Sequence, residues 1–106
     1  MSIVSRVATE FKRELRHLYG DQLAGLVLFG SYARGDQDDE SDMDFAVVLN
    51  NPDTRPTDEI MRLVPLSASL SLKHRVIVSV LPVSTHKLAH SMQGVYQEIR
   101  REGVYV

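Results

Sequence analysis

Two short apolar runs, Leu23–Phe29 and Met43–Leu49, constrain the fold of this chain more than any other feature. The first runs into Gly30-Ser31, the second is entered through Asp42-Met43-Asp44, and only a polar stretch separates them. Apolar runs of strand length, rich in Leu, Val and Phe and bounded by Gly, Asn and Pro, read as buried strands joined by a tight turn. A chain of 106 residues that spends its apolar content this way has room for one core and no second domain, so residues 1–106 are expected to form a single unit.

The remaining segments read as helices and one further strand. From Ser2 to Tyr19, Val4, Val7, Ala8, Phe11, Leu15 and Leu18 recur at intervals of mostly three and four, and Gly20 can end that helix. A second helix is expected from Pro56 to about Leu72 through Ile60, Leu63, Val64 and Leu70, with Pro65 inside it. Arg75 to Val83 alternates and is β-branched, predicting a third strand ended by Pro82, with Ser84 as the N-cap of a last helix. That helix is expected to turn Leu88, Met92, Val95, Tyr96 and Ile99 inward and to stop at Gly103. The order predicts an α/β fold, a small mixed β-sheet flanked by helices.

Composition narrows the function classes. With no cysteine, disulfides and thiolate zinc sites are excluded. The apolar runs fall short of the ~20 residues of a membrane span, and the N-terminus lacks a signal-peptide pattern, so a cytoplasmic protein is expected. A formal charge of −2 argues against a general nucleic-acid-binding surface. The negative charge is concentrated instead: Asp36, Asp38, Asp39, Glu40, Asp42 and Asp44 crowd a short loop, which repels itself unless solvated or met by a cation.

The chemistry is expected in Gly30-Ser31-Tyr32-Ala33-Arg34-Gly35-Asp36 and Ser41-Asp42-Met43-Asp44-Phe45. A glycine and serine at the end of a buried strand let the backbone approach a bound group, and the next residues can open a helical turn whose free N–H groups attract phosphate. Ser31 adds a hydroxyl donor and Arg34 a fixed positive charge. Asp42 and Asp44, two apart at a strand entrance, share a face and can hold one or two hard cations, while Met43, Phe45 and Val47 point into the core. Magnesium on such a pair can bridge a triphosphate and neutralise a departing pyrophosphate.

These residues resemble the polymerase β-type nucleotidyltransferase superfamily, whose signature is Gly-Ser followed about ten residues later by Asp-x-Asp. The chain is similar to its minimal nucleotidyltransferase group, with the order of elements agreeing through Arg101-Glu102-Gly103-Val104. The resemblance implies a nucleotidyltransferase fold, ATP as substrate and Mg2+ as cofactor. It also implies that Gly30 and Ser31, with Arg34 beside them, bind nucleotide phosphate, and that Asp42 and Asp44 are metal ligands and, with Ser31, catalytic. Many members of the group are antitoxins paired with a HEPN ribonuclease toxin, some adding AMP to a toxin tyrosine. The resemblance thus implies an antitoxin in a hetero-oligomer with such a toxin.

One departure stands out. Active members usually supply a third carboxylate from the third strand, yet Arg75-Val76-Ile77-Val78-Ser79-Val80-Leu81 carries no acid. Activity is then weak or lost, or borrows Asp36 or a partner carboxylate. Two alternatives follow: an antitoxin acting by contact alone, and an adenylyltransferase for a small molecule such as an aminoglycoside, which would need a second subunit.

Other features read more simply. Gly-Ser and Arg-Gly-Asp also occur in plain turns, and Arg34-Gly35-Asp36 as an adhesion ligand needs a secretion route the sequence does not suggest. A Walker loop needs a Gly-Lys-Ser/Thr ending that is missing. His86 and His90 share a helical face but have no third ligand, and His17 and His74 show no partner. Lys87, Arg100 and Arg101 read as a solvated face that an acidic partner can also meet, Tyr32 as packing beside the turn, and Tyr96 and Tyr105 as core or interface.

Overall fold

The computed structural model describes residues 1–106. Helix α1 spans Ile3–Tyr19 and, after a 3-10 turn, leads into β1, Leu23–Phe29. A single helical turn α2, Ser31–Arg34, precedes β2, Met43–Leu49. Then come α3, Pro56–His74; β3, Val78–Ser84; α4, Thr85–His90; α5, Gly94–Glu102; and β4, Val104–Tyr105. The strands form one mixed sheet in the order β3-β2-β1-β4, with β1 antiparallel to β2 and β4, and β2 parallel to β3.

The period-two alternation of β2 divides the core. Met43, Phe45 and Val47 face α1 and α3, packing with Val7, Phe11, Leu15, Leu63 and Leu70. Phe11 meets Phe45 edge to face, with ring centroids 5.5 Å apart. Ala46 and Val48 face the other way, where Val27 and Val83 meet Tyr96 and Ile99 of α5. Residues of even number on β2 therefore look towards α5, and so does the strand's entrance at Asp44.

Both ends of α1 are fixed locally. Ser2 Oγ accepts from the Ser5 N–H, and Gly20 takes φ +56 to stop the helix. The Tyr19 hydroxyl donates to Glu59 at 2.8 Å and ties α1 to α3. No helix is long and apolar enough to cross a membrane.

Four expectations need correction. Helix α3 runs to His74, past Leu72, because Pro65 sits on its exposed side and Arg75 ends it in the left-handed region, φ +56. Val64 of that helix is nearly half exposed rather than inward. The third strand begins at Val78, not Arg75, and continues through Pro82 to Ser84, which an edge strand tolerates because the missing N–H need not pair outward.

The expected last helix is two. Ser84 does cap α4, accepting from the Lys87 N–H at 3.1 Å, but the chain breaks at Ser91–Gln93. Arg100 folds back to donate to Leu88 O and Ser91 O, both at 2.7 Å, supplying donors to carbonyls that the break leaves without helical partners. Met92 is consequently exposed, Val95 borders on exposed, and only Tyr96 and Ile99 of that stripe are buried, with Leu88 packed beside them. Finally, β4 was not expected: Val104 and Tyr105 pair with Leu28 and Val27, and the Tyr105 ring covers Gly25, where a Cβ would come within 2.8 Å of it.

Candidate functional site

The site is built where β1 leaves the sheet. Gly30 takes φ +77, ψ −156, a combination open essentially to glycine alone. It also lies so close to Asp44 that a Cβ at position 30 would collide with the Asp44 carboxylate. The Gly30 carbonyl accepts from the Ala33 and Arg34 N–H groups, and the Ser31 carbonyl from Gly35 and Asp36, winding the chain into α2. The Ser31 and Tyr32 N–H groups open that turn and have no intrahelical acceptor. Gly35 ends it in the left-handed conformation, φ +81.

Asp44 stands across from this turn at the head of β2. It is half-buried, and its carboxyl is pushed above the usual carboxylate range by burial and then by the charges of Asp42 and Glu98, with Arg34 pulling the other way. Asp42 is exposed at the rim. Neither takes part in a salt bridge. Hard oxygen donors that repel one another and lack a counter-cation suit a divalent ion such as magnesium. They do so as a pair: no group of three His, Asp or Glu side chains is arranged to hold a metal. Ser79, in register with Asp44 on the parallel β2–β3 ladder, occupies the neighbouring position on β3, where no residue from Val78 to Ser84 is acidic.

Arg34 is held by three carboxylates. Its Nε donates to Asp36 at 3.1 Å, and its Nη1 lies 2.9 Å from Glu102 and 3.5 Å from Glu98. The hydrogen bond it donates to Asp36, with the charges of Asp36 and Glu102, raises the guanidinium pKa further. The rest of the acidic loop holds itself, with the Asp38 and Glu40 N–H groups donating to Ser41 Oγ and Asp38 Oδ1.

Gly30, Ser31, Arg34, Asp42 and Asp44 are thus gathered at one end of the sheet as the sequence indicated. Glu98 and Glu102 were not anticipated; their only sequence signal is a four-residue spacing on the last helix, which a solvated face shares. Tyr32 packs against the larger core cluster, the structural role expected of it. His86 and His90 lie with ring centroids 4.7 Å apart and tilted, without a third ligand, and His74 meets Glu10 at 3.6 Å. Tyr96 is core and Tyr105 is exposed. The larger surface concavities, about 620 and 500 Å3, lie away from these carboxylates, beside Lys12 and Arg16 and between β1 and α4–α5.

The nucleotidyltransferase domain family matches residues 8–106. A Methanocaldococcus jannaschii protein named as a candidate protein adenylyltransferase is 33% identical over 76 residues, covering 72% of this chain and 75% of its own. A second protein of that name and organism is 28% identical over 87 residues, covering 82% and 59% respectively. Among solved structures, a toxin–antitoxin with AMP-PNP superposes with a TM-score of 0.63 at 23% identity, over 91% of this chain and 69% of that one. A mutant of the toxin–antitoxin MntA-HpeT superposes with a TM-score of 0.56 at 24% identity, over 92% and 70%. These likenesses establish the fold as that of the nucleotidyltransferases.

Proposed function

The chain belongs to the nucleotidyltransferase domain family, and from that premise we propose that it is an antitoxin-type enzyme that transfers AMP from ATP, with Mg2+, to a tyrosine hydroxyl of a HEPN-type toxin, neutralising that partner within a hetero-oligomer. The observation that carries this reading is the Gly30-Ser31 turn packed directly against Asp44 with no protein cation on either Asp42 or Asp44. The names of the Methanocaldococcus jannaschii relatives support adenylyl transfer, and the toxin–antitoxin neighbours support a toxin as acceptor.

In this reading the N–H groups of Ser31 and Tyr32, the Ser31 hydroxyl and Arg34 would hold the nucleotide phosphates beside the two carboxylates. Asp42 and Asp44 would hold the metal, which would supply charge neutralisation to the triphosphate and lower the pKa of the attacking hydroxyl. The acceptor oxygen bonds to the α-phosphorus, the bond from that phosphorus to the β-bridging oxygen breaks, and pyrophosphate leaves. With Ser79 beside Asp44, β3 offers no base there, and the hydroxyl proton departs to solvent at the open rim.

Incubation of the protein and its helical partner chain with labelled ATP and magnesium, followed by intact mass of both, tests this. The partner should gain one or more AMP units, and the gain should vanish with Asp42→Asn combined with Asp44→Asn. A stable complex whose partner gains no mass would favour the second reading, an antitoxin acting by contact alone, which Ser79 in the acid's place supports. That reading requires the double variant to protect as well as the native chain.

A further inference from the structure

We propose that Glu102 is a positioning residue for the phosphate-binding turn, holding Gly30 and Arg34 from the last turn of α5 so that Arg34 presents its remaining donors to the nucleotide. This rests on the assignment of Gly30–Arg34 to phosphate binding made above. One carboxylate oxygen, Oε1, accepts both from the Gly30 N–H at 3.3 Å and from Arg34 Nη1 at 2.9 Å. The Glu102 side chain is 13% exposed and that of Arg34 is 41% exposed, so a mostly buried anchor holds a more exposed arm.

The β1–β4 register explains why the carboxylate is there. Val27 pairs with Tyr105 and Leu28 with Val104, and continuing the same antiparallel register sets Gly30 opposite Glu102. Backbone pairing has stopped by then, because the Gly103 N–H is taken by Ile99 O at 2.8 Å as α5 ends. The Glu102 side chain supplies the acceptor that a longer β4 would have given to the Gly30 N–H. Gly103 makes the close turn possible: a Cβ there would collide with Ile99 O and the Val27 side chain. Arg101-Glu102-Gly103-Val104 therefore forms a device, with an acid that reaches back and a glycine that lets the chain turn behind it.

The consequence falls on Arg34. Asp36 takes its Nε and Glu102, with Glu98 one turn earlier, takes its Nη1, which leaves Nη2 without a protein partner. A guanidinium held at two of its three nitrogens keeps a defined direction for its free donors and loses less rotamer freedom when phosphate arrives. Without Glu102, Asp36 and Glu98 alone restrain it, and both are more exposed than Glu102.

The test is calorimetric binding of the non-hydrolysable analogue AMP-PNP, with magnesium, to the full chain and its variants, after thermal melts confirm folding. Glu102→Ala should weaken binding by about tenfold, the scale of one charge-assisted contact. Glu102→Gln, which keeps an acceptor oxygen, should recover most of that loss and carries the test if the alanine variant does not fold. In an Arg34→Ala background Glu102→Ala should cost clearly less than in the native chain, because only the bond from the Gly30 N–H is then left to lose. Equal loss in both backgrounds would show general structural support instead and overturn the proposal. Tighter binding by either Glu102 variant would overturn it too, identifying the carboxylate as an occupant that phosphate must displace. If the native chain binds no AMP-PNP, the functional reading falls with it; if it binds and Glu102 variants match it, only this inference fails.

Discussion

Asp44 and Ser79 are register partners on the parallel β2–β3 ladder, and their side chains project from the same face of the sheet. The geometry makes Ser79 the place where an acid on β3 would join the pair formed by Asp42 and Asp44. Ser79→Asp should therefore strengthen binding of Mg2+ or Mn2+ and speed any transfer. The same change adds a like charge beside Asp44, so in the presence of a chelator it should lower stability by on the order of 1 kcal/mol. Melts with and without metal, alongside transfer rates, read both effects. A variant that gains no metal affinity would place the acceptor-side carboxylate elsewhere, on Glu98 or on the partner.

Asp44→Asn makes the opposite change. Burial, Asp42 and Glu98 all disfavour the Asp44 charge, and no protein cation offsets them by direct pairing. Removing that charge should raise the melting temperature in chelator, and the native chain alone should then be stabilised by added magnesium. Equal magnesium shifts in both proteins would remove Asp44 from the metal site.

The pairing of Asp44 with the Gly30 turn was legible because every residue involved lies in one local stretch. Strand periodicity set the faces of β2, and Gly-Ser marked where the backbone comes close. The partners of Arg34 were not legible, since Glu102 lies 68 positions away and a helical Glu near Arg100 and Arg101 reads as a solvated face. The same limit hid the start of β3: Arg75-Val76-Ile77 alternates like a strand, but Arg75 takes the left-handed conformation that ends α3 and Ile77 remains exposed. Leu88, Met92, Val95, Tyr96 and Ile99 fit a single helical stripe, and the break among them became visible only with Arg100 bonded back to Leu88 and Ser91. A strand as short as β4 leaves no periodicity to read.

Acid should weaken the contact between α1 and α3. Glu10 bonds to Lys73 and lies 3.6 Å from His74, and the hydrogen bond from Lys73, against a smaller opposing effect of burial, holds its carboxyl below the ordinary 4.5. A depressed folded-state pKa gives stability that is present above the unfolded value and lost as pH falls through the folded one. The native chain should thus melt higher than Glu10→Gln at neutral pH, and the gap should close below about pH 4.5, the ordinary value. Lys73 is exposed, which keeps the gap small. A gap that stays constant into acid would assign it to packing instead of charge.

Gly30 and Gly35 separate backbone strain from crowding at the site. Both have positive φ, +77 and +81, but Gly35 lies in the ordinary left-handed region with open space where a Cβ would go. Gly30 combines its φ with an extended ψ and faces the Asp44 carboxylate. Gly35→Ala should cost roughly 1 kcal/mol, the penalty of the left-handed conformation for an L-residue, and leave AMP-PNP affinity near native. Gly30→Ala should cost about 1–3 kcal/mol in strain and in addition push Asp44 away from the turn. Its loss of magnesium-dependent AMP-PNP binding should therefore exceed what the change in stability accounts for. Melts and calorimetry on the two variants decide the matter: if Gly30→Ala is destabilised yet binds magnesium and nucleotide as the native chain does, close contact between the turn and Asp44 is not required by the site.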